Sequence, residues 1–207
     1  MSVALQAFPD HLAPTLLKVD GVGIGPLLPE DTAAIFLWTN DIEANGLDLP
    51  YRPVDGVAFS NWLGSFASDP SRVLFAVRIA GRSEPVGTLM LTGIHLVNRC
   101  ADLGIRIGRE NDRGRGIGTA AVRLGLAYAW EHLNLARVQL RVMADNTRAI
   151  GAYQRAGFAA EGRHARSVFI AGRWHADHGG VEPARGRIEF RPEMAYTAGA
   201  IRAARAP

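Results

Sequence analysis

Cysteine is nearly missing from this chain. Cys100 is the only one in the 207 residues, so no internal disulfide can form. With no second cysteine and no clustered histidines, no zinc site and no other metal is expected. Lysine is equally scarce: Lys18 stands alone, and arginine supplies the rest of the positive charge. No apolar run approaches the ~18 residues of a membrane span. The start "MSVALQAFPD" lacks the basic and apolar regions of a secretory leader. The expected location is therefore cytoplasmic, with no membrane partner. The formal charge of +3 invites anionic ligands, but no basic helix or Lys/Arg run appears, so nucleic acid is not an expected partner.

What is present is an ordinary globular composition, 48% hydrophobic and 21% charged, over the length of one large domain. "PEDTAAIFLWTND" (29–41) predicts a first helix and "VDGVAFSNWLGSFASDP" (54–70) a second, closed by Pro70. "RVLFAVRIA" and "VGTLMLTGI" are strands joined by the turn "GRSEP", and "ADLGIRIG" (101–108) is a further short strand. Residues 117–133 carry Ile117, Ala121, Leu124 and Tyr128 at helical steps. "ARVQLRVM" (136–143) alternates as a strand with one wet face. "TRAIGAYQRA" (147–156) is a short helix that Gly157 closes, and a last sheet segment lies within 165–177. The order predicts one α/β domain on a mixed, mostly antiparallel sheet flanked by helices. The domain spans 19–177, between a weakly specified lead-in (1–18) and an irregular extension (178–207) that fits either a short helix or a loose tail.

The densest signal is "NDRGRGIGTAAV" (111–122), two arginines interleaved with glycines at the start of a helix. Amides of a glycine-rich turn and of a helix's first turn lack intrahelical partners, and the helix dipole adds partial positive charge. Such a place binds phosphate, and Arg113 and Arg115 can add charge. A nucleotide P-loop needs a lysine that is absent here. The dinucleotide fingerprint needs an acid about 20 residues on, where Arg137 stands. A plain loop and helix start is the bland alternative.

In its setting, "RGRGIG" resembles the R/Q-x-x-G-x-G/A motif of the GCN5-related N-acetyltransferases (GNAT). "NTRAIGAYQRAGFAAEG" (146–162) is similar to that family's N-x-x-A-I-x-x-Y-x-x-x-G-F-x-x-E-G segment. The resemblance is firm over 86–177, looser over 19–79, and closest to the branch of ribosomal-protein alanine and spermidine acetyltransferases. It implies the GNAT fold and acetyl-CoA as co-substrate. Its pyrophosphate would be held by Arg113, Gly114, Arg115, Gly116, Ile117, Gly118 and Thr119. Main-chain groups of Ile105, Arg106 and Ile107 would pair with pantetheine amides and hold the oxyanion.

Acyl transfer to an amine also needs a base and an acid. A lysine-like amine of reference pKa ~10.4 costs roughly 4.6 kcal/mol to deprotonate at pH 7, an α-amino group near 8 about 1.4 kcal/mol. The resemblance places Asp102 as the base, acting through a water because its side chain is short; an ordinary polar residue at a strand start is the alternative. It places Tyr153 as the acid that protonates the leaving thiolate, against one more aromatic on an apolar helix face. Asn146 is read as that helix's N-cap with a further contact to the cofactor. Phe158 reads as core, and His132, His164, His175 and His178 show no nucleophile or metal spacing.

The acceptor is an amine, on a small molecule or a protein N-terminus. Trp38, Asp41 and Glu43 are weak candidates for its pocket, and a homodimer is possible. The sequence departs from the branch after Asp177, which keeps open a non-catalytic CoA-binding module of the same fold.

Overall fold

A computed structural model of the chain describes residues 15–41, 52–170, 172–176 and 196–197. Alternating apolar residues form a run of antiparallel strands. These are β1 (Leu17–Val19), β2 (Val22–Gly25), β3 (Val73–Ile79), β4 (Gly87–His95) and β5 (Cys100–Ile107). Beside β5 lies β6 (Arg137–Leu140) in parallel. The sheet then continues through β10 (Tyr196–Thr197) to β7 (Ala159–Ala160), giving the order β1-β2-β3-β4-β5-β6-β10-β7. A separate hairpin pairs β8 (Val168–Ile170) with β9 (Arg173–His175).

Helices α1 (Asp31–Thr39) and α2 (Gly56–Ser68) precede β3. Helices α3 (Ile117–Glu131) and α4 (Thr147–Ala156) follow β5 and β6. Asp55 caps α2, its Oδ1 accepting from the amides of Val57 at 2.9 Å and Ala58 at 2.8 Å. The helices fall on opposite faces of the sheet, and strand alternation decides which. Val77, Leu89, Leu91, Ala101, Leu103 and Val138 bury themselves with the apolar faces of α3 and α4. Arg78, next to Val77, points the other way and meets Asp31 of α1. On that second face Ile35, Trp38 and Phe59 form a smaller core.

The helix over 147–156 and the left-handed Gly157 after it agree with the sequence reading. Three expectations need correction. The lead-in is not structureless at its end: residues 17–19 pair with 22–25 in a hairpin whose glycines hid its strand character. Residues 196–197, inside the extension read as helix or tail, pair with both β6 and β7, so the sheet does not end at 177. The segment within 165–177 closes on itself as β8–β9 instead of extending the main sheet.

Candidate active site

The parallel strands β5 and β6 pair at Cys100–Arg137, Ala101–Val138 and Asp102–Gln139, and there the pairing stops. Beyond that point β5 stays with β4 as far as Ile107–Gly87. The outer edge of residues 103–107 therefore faces a wedge instead of a strand, and Arg141 and Val142 form the other lip. The cleft holds about 190 Å³, which suits a narrow chain better than a bulky ring system. Ile105, Arg106 and Ile107 all line it. A strand edge of this kind offers main-chain groups to an amide-bearing ligand, much as it would to another strand.

At the end of β5 a short 3₁₀ turn, Glu110–Asp112, leads into the arginine–glycine loop. Gly114 and Gly116 have φ of +75° and +81°, conformations that side chains other than glycine's resist. Gly116 is the N-cap of α3, so the amides of Ile117, Gly118 and Thr119 occupy the helix's unpaired first turn. Gly114, Gly116, Gly118 and Thr119 line the cleft. The main-chain cradle is thus present.

The two arginines of the motif are placed differently from each other. Arg113 lines the cleft, but its Nε donates to the Ile107 carbonyl at 3.1 Å and its Nη2 to that of Gly108 at 3.0 Å. Arg115 lies outside the cleft lining and faces Asp112 Oδ1 at 3.5 Å. The same oxygen of buried Asp112 accepts from Arg82 at 2.8 Å. Arg113 is thus tied to the loop, while Arg115 is exposed beside Asp112. Ile117 likewise turns its side chain into the core, which leaves only its amide for the cradle.

The far wall comes from α4. Asn146 caps that helix, accepting from the Ala149 amide at 3.2 Å, and also lines the cleft. Tyr153 does the same while packing edge-on to Phe158 at 6.0 Å between centroids. Tyr153 is thus both a core aromatic and a cleft residue, and Phe158 is core, as read.

Asp102 is exposed and is not part of the cleft wall. It stands at the last paired position before the wedge, and by alternation its side chain lies on the face opposite Leu103 and Ile105. Gln139 donates to it at 2.9 Å. Arg137 in turn donates to Gln139 Oε1 at 3.2 Å and grips Glu161 with bonds of 2.9 and 2.6 Å. The Glu161 hydrogen bonds hold the Arg137 pKa above its ordinary value, against a smaller opposing effect of burial.

Trp38 is buried against Gly108, where a β-carbon would come within 2.0 Å of the indole. The Trp38 carbonyl accepts from Arg106 Nη1 at 2.9 Å, which joins the end of α1 to the cleft strand. Asp41 is exposed, and Glu43 lies outside the described residues. His132 stacks on Tyr128, His175 faces Asp145 at 3.1 Å, and His178 lies outside the described residues. Among the described residues no group of three or more His, Cys, Asp or Glu could hold a metal, and no helix is long and apolar enough to cross a membrane.

Sequence reasoning missed Arg148 and Arg155, which line the cleft from α4. Their spacing of seven residues, with Ala152 between them, places them on one helix face and was the available signal.

A strand pair that splays beside a glycine-capped helix is the arrangement that a family comparison can decide. Residues 22–159 match the model of the acetyltransferase (GNAT) domain. The chain belongs to the GNAT family. It is 33% identical to the spermidine N(1)-acetyltransferase of Escherichia coli K12 over 155 residues, 74% of this chain and 81% of that one. Its fold is similar to that of the spermidine N-acetyltransferase from Vibrio cholerae in complex with CoA and spermine, with TM-score 0.70 and 23% identity over 76% of this chain and 92% of that one. A dodecameric structure of that enzyme, described as an intermediate state, aligns at TM-score 0.64 and 21% identity over 86% and 92% of the two chains. As a GNAT enzyme, the protein transfers an acetyl group from acetyl-CoA to an amine.

Proposed function

We propose that this enzyme acetylates a small polyamine-like amine by direct transfer, with Tyr153 as acid and Asp102 as base. The observation that carries the reading is the union, in one cleft, of the amide cradle at 114–119, the edge of β5 beyond its pairing with β6, and Tyr153. The coenzyme's diphosphate sits on the cradle, and its narrow arm lies along residues 105–107 toward the vertex of the wedge. Main-chain groups of that edge polarise the thioester carbonyl and stabilise the oxyanion. As the thioester bond breaks, the Tyr153 hydroxyl protonates the departing sulfur; its reference pKa near 10 lies above the thiol's ~8.5, so it holds a proton at neutral pH. Asp102 serves the opposite face, taking the amine's proton through a water.

The polyamine class is supported by the relatives' named substrates. A protein N-terminus is the second acceptor class to test. The non-catalytic module is not favoured, because the relatives that the chain matches are named N-acetyltransferases. Assembly of identical subunits and a cytoplasmic setting belong to the same proposal, the first supported by the dodecameric neighbour.

The test is acetyl-CoA turnover with spermidine, spermine and a set of peptide N-termini. Polyamine turnover that falls about 10²- to 10⁴-fold in Tyr153→Phe, with CoA affinity retained, is the expected result. Turnover confined to peptides would reassign the acceptor, and full activity of the variant would take the acid role from Tyr153.

A further inference from the structure

Arg113 is tied to the loop and Arg115 lies outside the cleft lining, yet the cleft still has cations to offer. Arg148 and Arg155 line its far wall, and both are exposed. Among the described residues neither guanidinium is tied by a hydrogen bond or ion pair; the Arg155 contact to Arg123 uses its main-chain oxygen. The two residues are seven positions apart on α4, about 10.5 Å along the helix and on the same side. The Arg155 side chain folds back along the helix over Gly151, its Nη1 3.2 Å from where a β-carbon would sit. Glycine at 151 therefore leaves a hollow on the helix surface that directs this guanidinium toward Arg148.

The ligand carries phosphate in two places. The diphosphate is served by the amides of 114–119, which belong to the opposite wall. The ribose 3′-phosphate is a monoester whose charge at neutral pH approaches −2, and it needs its own partners. We infer that Arg148 and Arg155 form a subsite for this 3′-phosphate, so that the enzyme selects CoA over 3′-dephospho-CoA. Two charge-assisted contacts to one phosphate are ample for selection of about tenfold or more. The inference rests on the coenzyme reading above and adds to it a specificity that the cradle alone cannot give.

Titration calorimetry of the full chain with CoA and with 3′-dephospho-CoA tests it, on the wild type and on the R148Q/R155Q variant. The wild type is expected to bind CoA at least about tenfold more tightly than the dephospho form. The variant should lose that preference, with its dephospho-CoA affinity unchanged. Equal affinity of the wild type for both coenzymes would overturn the subsite while leaving the acetyltransferase reading intact. Loss of affinity for both ligands alike in the variant would also overturn it, by assigning the arginines to the diphosphate. Absence of heat with either coenzyme would bring down the underlying reading as well.

Discussion

Gln139 donates to Asp102 at 2.9 Å at the very position where β5 and β6 cease to pair. The side-chain bond thus closes the vertex of the wedge, and Arg137 and Glu161 extend it into a four-residue chain. A carboxylate held this way keeps one orientation while remaining open to solvent, which is what a base working through water requires.

Asp102→Asn keeps the size of the side chain and removes the proposed base. Steady-state kinetics should show kcat lower by about tenfold or more, with little change in the KM for acetyl-CoA. Unchanged kcat would return Asp102 to the status of a polar strand residue.

Arg113 uses the fork of its guanidinium to join two main-chain carbonyls, those of Ile107 and Gly108. Lysine retains the charge but cannot reproduce the fork. Arg113→Lys should therefore weaken CoA binding nearly as much as Arg113→Gln, and both should lower the thermal midpoint. Charge-assisted bonds of this type contribute about 1.5–3 kcal/mol each when buried, less here because the site is only partly covered. Full rescue of CoA affinity by lysine would show that charge, not loop shape, is the contribution of Arg113.

The buried pair between Arg78 and Asp31 joins β3 to the start of α1, with contacts of 2.6 and 3.1 Å and side-chain exposures of 5% and 1%. Asp31 also accepts from the Leu28 amide at 2.8 Å. Removing one partner leaves the other charge stranded out of water, so Asp31→Asn should cost about 3–5 kcal/mol in chemical denaturation. Replacing both by apolar residues of similar volume should cost much less. A single substitution as mild as the double one would contradict this account.

Local rules made much of the molecule legible. Asn146 and Gly157 bracket α4 because capping and left-handed closure are decided by a residue and its immediate neighbours. Gly114 and Gly116 mark the cradle for the same reason. The hairpin β1–β2 escaped notice because its glycine-rich strands carry little side-chain pattern and become strands through pairing with β3. The two-residue β10 has no sequence signature at all and exists through its neighbours β6 and β7.

The amino-acid sequence by itself determined the helix ends, the alternation of the strands and the glycine turn at 114–116, since each depends on φ/ψ preferences and periodicity within a few residues. Tertiary structure alone decided what the side chains around that cradle do. It tied Arg113 to two carbonyls of the loop, left the Arg148 and Arg155 guanidinium groups on the opposite wall without a hydrogen bond or ion pair among the described residues, and bonded Gln139 to Asp102 at the vertex of the wedge. The reason is physical: a carboxylate bonds to whatever polar group the fold brings within reach, and Asp102 and Gln139 are 37 residues apart along the chain.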